Sequence, residues 1–125
     1  MVIWWLPVRE LRTSEKSIAQ LNFQLSYPLG KIDPAESLRA AQRSIEIFDE
    51  DLARNPNDRL LRSRRARALR YLAYALDRNH RPADARQAAG EAIKIQQQLL
   101  AETPSDGSER EQLTRSQKAL AGLSK

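Results

Sequence analysis

The sequence predicts an all-α fold, in which antiparallel helix pairs stack into an α-solenoid of about five helices. The first observation is a pair of long segments, residues 58–78 and 82–103, joined by the breaker NHRP. In both segments apolar residues recur at spacings of three, four and seven, as on one face of an amphipathic helix. Two long helices with so short a connection must run back along each other as a hairpin.

The second observation is an internal repeat. When the chain is aligned with itself at an offset of 48 residues, residues 34–58 match residues 82–106 without a gap. The matches are mainly small, apolar or helix-punctuating residues: Pro34/Pro82, Ala40/Ala88, Ala41/Ala89, Ile45/Ile93, Ile47/Ile95, Leu52/Leu100, Pro56/Pro104 and Asp58/Asp106. Such self-similarity is typical of stacked helical repeats. It divides residues 8–124 of one domain into repeats at about 8–55 and 56–103, and a partial repeat at 104–124.

Residues 1–7 form an apolar leader that contains Trp4 and Trp5. We expect the leader to fold back over the end of the solenoid, because terminal repeats need capping. The alternatives are an exposed anchor for a partner and a contact with an upstream domain. Pro7 can open the first helix, which ends near Pro28, before a turn rich in glycine and proline.

Polar caps and prolines mark the next three helices. Asp33 predicts the N-cap of a helix over residues 34–54, and Asp58 or its neighbour Asn57 predicts the cap of the arginine-rich helix. Pro82 opens the following helix, since the first helical position tolerates proline best. Pro104 ends that helix, because the residue before a proline is pushed out of the helical region.

The last helix is predicted over residues 107–123. Ser108 and Glu111 have the spacing of a capping box, and Leu113, Leu120 and Leu123 provide apolar positions. By the repeat alignment this segment is the first helix of a third repeat. It either caps the stack or belongs to a longer array.

Composition sets limits on location and chemistry. The chain has 125 residues, no cysteine and a net charge of +5, and no apolar run approaches the roughly 20 residues of a membrane span. We therefore expect a cytoplasmic protein. His80 is the only histidine and lies in a turn, and no nucleophile–base set or phosphate loop accompanies it. The sequence thus predicts neither an enzyme nor a metal or cofactor site.

Residues 69–95 resemble one tetratricopeptide (TPR) repeat. Leu69, the pair Leu72-Ala73 and Leu76 stand at the first-helix positions of that family, with Ala85, Ala89 and Ala92 at those of the second helix. The repeat here is longer than the usual period of about 34 residues. Long-helix variants of this kind are similar to the repeats of kinesin light chains and to those of some bacterial serine/threonine protein kinases. The resemblance implies a right-handed solenoid that works as a non-catalytic interaction module.

The resemblance also implies a concave groove lined by the first helix of each repeat. The positions carried over are Asn22, Arg67, Arg70, Tyr74, Arg78, Arg115 and Lys118. Arginine binds carboxylates through a planar fork, so this groove favours an acidic peptide or a C-terminal carboxylate of a protein partner. In this interpretation the chain is a scaffold module, or the C-terminal regulatory segment of a larger bacterial protein.

Three alternatives remain open at this point. The arginines can pair with the acidic end of the preceding helix, with Glu46, Asp49, Glu50 or Asp51 facing Arg62, Arg64 or Arg65. The chain can also self-associate end to end, through Trp4, Trp5 and Leu6 at one end and Leu113, Leu120 and Leu123 at the other. The third alternative is nucleic-acid binding through residues 57–81, where eight arginines face two aspartates. It predicts an affinity that falls steeply with salt.

Overall fold

The computed structural model describes residues 33–124, and this part of the chain is all-helical. Its four helices are α1 (Pro34–Arg54), α2 (Arg59–Arg78), α3 (Pro82–Glu102) and α4 (Gly107–Gly122). The all-α prediction is confirmed for these residues, and the predicted helix bounds agree to within one residue. The leader at residues 1–7 and the predicted first helix lie outside the described residues, and so do Trp4, Trp5, Leu6 and Asn22.

Side-chain caps begin two of the helices as predicted. The Asp33 carboxylate accepts hydrogen bonds from the backbone N–H groups of Ala35 and Glu36, at 3.1 and 3.3 Å. The Asp58 carboxylate accepts one from the N–H of Leu61 at 3.1 Å. Each cap satisfies backbone donors that have no partner within the helix.

The predicted cap of α4 is wrong by two residues. Asp106 is the N-cap, and its carboxylate accepts a hydrogen bond from the N–H of Glu109 at 3.0 Å. Ser108 already lies inside the helix, so its spacing to Glu111 does not form a capping box. Asp106 and Asp58 are equivalent residues in the repeat alignment, and each caps the start of a helix.

Consecutive helices run antiparallel. At one end of the bundle the Asn79 side chain donates to the carbonyl of Pro34 at 2.9 Å, which places the end of α2 beside the start of α1. At the other end Arg59 donates to the carbonyl of Leu99 at 3.1 Å, which places the start of α2 beside the end of α3. The turn between α2 and α3 holds His80 at φ 60°, a left-handed conformation that is unfavourable for a residue with a Cβ.

Helices α2 and α4 lie side by side and point the same way. Arg59 reaches Asp106 at 2.9 Å near the first ends of the two helices. Near the other ends, the backbone N–H of Ser124 donates to Asp77 at 3.2 Å. Both pairs are 47 residues apart, close to the repeat of 48. This packing is compatible with a stacked helical repeat, in which α2 and α4 are equivalent helices.

Small side chains dominate the contact between α2 and α3. Ala73, Ala85 and Ala89 are fully buried and pack around Leu76, and the absence of bulk lets the two helices approach closely. One polar residue interrupts this core. Gln96 of α3 has no exposed surface, and neither its Nε2 nor its Oε1 has a hydrogen-bond partner.

The contact between α2 and α4 is instead polar over much of its length. The buried residues of α4 are Glu109, Gln112, Ser116 and Ala119. Near the end of α4, Leu120 and Leu123 pack against the alanine-rich cluster of α2 and α3. The first half of α4 therefore packs against α2 through a polar seam. No helix within residues 33–124 is long and apolar enough to cross a membrane.

Candidate interaction groove between α2 and α4

A groove of about 310 Å³ lies between α2 and α4. It is lined by Arg70, Tyr71, Tyr74, Arg115 and Lys118. Four of these residues were predicted as groove residues from the sequence, and Tyr71 was not. The structure thus brings together side chains that are about 45 residues apart in the chain, because α2 and α4 lie next to each other.

Arg70 forms the buried wall of the groove. Its side chain donates to the backbone carbonyl of Gln112 at 3.3 Å, to the side-chain amide oxygen of Gln112 at 3.0 Å and to the Ser116 hydroxyl at 3.4 Å. Only 4% of the residue is exposed, although the sequence predicted a surface position. All three acceptors are neutral groups, so no carboxylate balances the positive charge of the guanidinium through these bonds. A charge at such a site acts through a low dielectric and is screened less than one in water.

The two tyrosines form the aromatic side of the groove. The rings of Tyr71 and Tyr74 meet edge to face, with centroids 6.0 Å apart and planes at 66°. The guanidinium carbon of Arg70 lies 5.5 Å from the centroid of the Tyr71 ring, within the range of a cation–π interaction. The tyrosines and the buried arginine therefore hold one another in place.

Arg115 and Lys118 supply the exposed cations of the groove. The Arg115 side chain is 57% exposed and pairs with Glu111, one turn earlier on α4, at 2.6 Å. Lys118 is exposed on the same helix. An exposed pair of this kind contributes only about 0–1 kcal/mol, so Arg115 can exchange Glu111 for a carboxylate of a ligand at little cost.

The other predicted groove residues lie elsewhere. Arg67 lines a second cleft of about 330 Å³ at the first ends of α2 and α4, together with Ser63 and Glu109. Arg78 is the last residue of α2, is partly buried, and is not among the residues that line the groove. The repeat alignment predicted that these residues lie along one groove, but the helical periodicity of α2 distributes its arginines over several faces.

Arg65 shows the internal pairing that the sequence offered as an alternative. Its Nε lies 2.6 Å from Asp49 of α1, and its Nη1 lies 3.1 Å from Glu91 of α3. Burial alone lowers the pKa of Arg65, but the hydrogen bonds to Asp49 and Glu91 outweigh burial and raise it above the usual value. Arg65 thus ties α2 to both of its antiparallel neighbours.

Arg62 pairs with a different acid from the expected one. Its two terminal nitrogens lie 2.9 and 2.6 Å from the two oxygens of Glu102, at the end of α3. The hydrogen bond from Arg62 lowers the pKa of the Glu102 carboxyl. The pKa of Asp106 is lowered by the backbone N–H of Glu109 and then by Arg59. Much of the positive charge at the start of α2 is therefore balanced by carboxylates of α3 and of the turn after it.

Comparisons of the chain with models of protein families, with curated proteins and with solved structures find no match. The resemblance to TPR repeats therefore stays a prediction from the residues.

Within residues 33–124, no group of three histidine, aspartate or glutamate side chains is arranged to hold a metal ion. The lining of the groove consists of three cationic and two aromatic side chains.

Proposed function

We propose that this chain is a non-catalytic, TPR-like interaction module that binds an acidic peptide segment of a partner protein. In this proposal the four described helices belong to a right-handed solenoid of about five helices, in the cytoplasm of a bacterium. The groove between α2 and α4 is the binding surface. The module acts as a scaffold on its own or as the regulatory segment of a larger protein.

The observation that carries the proposal is the charge of the groove. Three of the five lining residues, Arg70, Arg115 and Lys118, are cations, and none of the five is acidic. An acidic side chain entering the groove meets one cation that is fixed in position and two that can move toward it. The fixed cation has already lost its rotational freedom, so binding pays less entropy there.

Other features favour this surface over the alternatives from the sequence. Arg59, Arg62 and Arg65 are engaged with carboxylates, which reduces the number of cations that α2 can offer to a nucleic-acid backbone. Leu120 and Leu123 pack against the internal cluster of α2 and α3, which leaves less apolar surface for end-to-end association.

The test uses two immobilised-protein binding experiments with oriented peptide libraries. One library has a central Glu-Glu pair flanked by four randomised residues on each side, and the matched library has Gln-Gln at the centre. The test variant carries Arg115→Glu and Lys118→Glu. The control variant carries Arg43→Glu and Lys94→Glu, which makes the same change in net charge at exposed residues of α1 and α3.

We expect the wild type and the control variant to retain the Glu-Glu library more strongly than the Gln-Gln library, and the test variant to lose the difference. Circular dichroism checks that all three proteins are helical. Equal retention of the two libraries by the wild type contradicts the proposal. Equal loss in the test and control variants contradicts it too, since the effect then comes from net charge and not from the groove.

A further inference from the structure

The second cleft between α2 and α4 has a chemistry different from that of the basic groove. It lies at the first ends of the two helices, and its lining includes Arg59, Leu60, Ser63, Arg67, Asp106 and Glu109. Two cations face two carboxylates there, so the cleft is balanced in charge. Leu60, which is 57% exposed, gives the cleft an apolar rim.

Three buried polar atoms of this cleft lack hydrogen-bond partners, on Glu109, Arg67 and Arg59. Glu109 is only 4% exposed, and its Oε2 accepts a hydrogen bond from the Ser63 hydroxyl at 2.8 Å. Its Oε1 has no hydrogen-bond partner, and neither does Nε of Arg67. A buried carboxylate oxygen and a buried N–H group that make no hydrogen bond each destabilise the folded protein, because both have lost their bonds to water.

The other charged groups of the cleft are already engaged. Nη1 of Arg59 makes no hydrogen bond, but it lies 3.7 Å from a carboxylate oxygen of Glu102. One oxygen of Asp106 accepts from Arg59 at 2.9 Å, and the other accepts from the backbone N–H of Glu109 at 3.0 Å. A ligand therefore meets one unused acceptor, on Glu109, and one unused donor, on Arg67. A cation at this place is repelled by two guanidinium groups, and an anion by two carboxylates. A neutral group that both donates and accepts has neither penalty.

We propose that this cleft binds the side-chain amide of an asparagine or glutamine in the same peptide whose acidic residue occupies the basic groove. The amide NH2 donates to Oε1 of Glu109, and the amide oxygen accepts from Nε of Arg67. This inference rests on the proposed function, because the position of the amide residue in the peptide is defined relative to the acidic residue that binds the basic groove.

The geometry of α4 sets the spacing between the two peptide residues. Glu109 precedes Arg115 by six residues and Lys118 by nine, which is about 9–14 Å along a helix that rises 1.5 Å per residue. An extended peptide covers about 3.3 Å per residue. The amide residue therefore lies about three or four residues from the acidic residue, on one side of it.

The test reads the sequences that the immobilised wild-type protein retains from the Glu-Glu library. We expect asparagine and glutamine to be enriched three or four residues from the glutamate pair on one side only. For a single synthetic peptide from the retained pool, replacing that amide residue by alanine should weaken binding to the wild type by at least about tenfold, the value of one hydrogen bond to a charged group.

Two variants test whether the preference for an amide residue depends on the cleft. Glu109→Gln removes the negative charge of the acceptor and keeps the shape of the side chain, and Arg67→Met removes the donor. Each variant should bind the retained peptide and its alanine-substituted version with affinities that differ by less than about twofold. The variant then lacks a buried charged group that bonds to the amide. The second variant keeps the test decisive if the first one does not fold.

The outcomes separate this inference from the proposed function. Retention that depends on the glutamates but shows no amide preference overturns the inference and leaves the basic groove in place. An amide preference that persists in both variants also overturns it, since the amide then binds elsewhere. Equal retention of the Glu-Glu and Gln-Gln libraries refutes the proposed function, and the inference with it.

Discussion

Replacing Gln96 by methionine should make the protein more stable. Gln96 lies between Ala92 and Leu99 on the face of α3 that is wholly buried, and its amide nitrogen and oxygen both lack hydrogen-bond partners. In the unfolded chain water binds both groups. Folding therefore removes the hydrogen bonds of the amide without replacing them, at a cost of about 1–3 kcal/mol for each unsatisfied group.

Methionine is the appropriate replacement because it is unbranched, has a similar length and is about as favourable in a helix as glutamine. The substitution removes two unsatisfied groups and leaves the space filled. We expect the free energy of unfolding to rise by about 2–4 kcal/mol. For a chain of this size this corresponds to an increase in Tm of roughly 8–15 °C.

The assay is urea unfolding followed by circular dichroism at 222 nm, with the slope against denaturant compared between variants. Gln97→Met is the matched control, since Gln97 is the next residue of α3 and is exposed. The control should change stability by less than about 0.5 kcal/mol. An unchanged or lower stability of Gln96→Met would refute the reasoning, because the amide must then be hydrogen-bonded in solution.

Three further changes have expected outcomes. His80→Gly should raise the free energy of unfolding by about 1 kcal/mol in the same urea assay, since glycine adopts the left-handed conformation without strain, whereas His80→Ala should not. Asp58→Ala should lower it by about 1 kcal/mol through the loss of the cap of α2, and Asp58→Asn should restore most of it. The free energy of unfolding should also decrease as the pH is lowered below about 4.5, the ordinary range of a glutamate. The reason is the lowered pKa of Glu102, because of which the folded state binds a proton less readily than the unfolded state. Glu102→Gln should make a plot of Tm against pH flatter between about pH 2 and pH 5, and an unchanged slope would show that the pair with Arg62 does not matter there.

The helix bounds could be predicted from the sequence because they depend on local chemistry. Asp33, Asp58 and Pro82 act within one turn of their own position, and the structure places all three at helix starts as expected. The misplaced cap of α4 shows the limit of such local patterns. Ser108 and Asp106 both offer a cap to that helix, and the repeat equivalence of Asp106 with Asp58 was the signal that distinguishes them.

The burial of individual arginines could not be predicted in the same way. Every third or fourth residue of α2 shares a face, so the pattern gives the helix but not the depth of each side chain. Arg70 is buried because Gln112 and Ser116, on a helix more than 40 residues away, supply acceptors for it. Arg62 pairs with Glu102 rather than with an acid of α1. This partner is available because the start of α2 adjoins the end of α3 as well as the end of α1.

The polar seam also determines which part of the molecule should open first. Separating the first half of α4 from α2 breaks hydrogen bonds such as the one between Ser63 and Glu109, which water can replace, and exposes little apolar area. The end of α4 is held by Leu120 and Leu123 and should open later. Amide hydrogens of residues 107–116 should therefore exchange with solvent faster than those of α2 and α3.

This order of opening connects stability to recognition. The groove and the cleft exist only while α4 lies against α2, so a peptide that bridges the two helices binds the closed form and not the open one. Binding then slows exchange in the first half of α4 in proportion to its affinity. Among the described helices, the polar seam is therefore both a contact that we expect to open early and one that a ligand can strengthen.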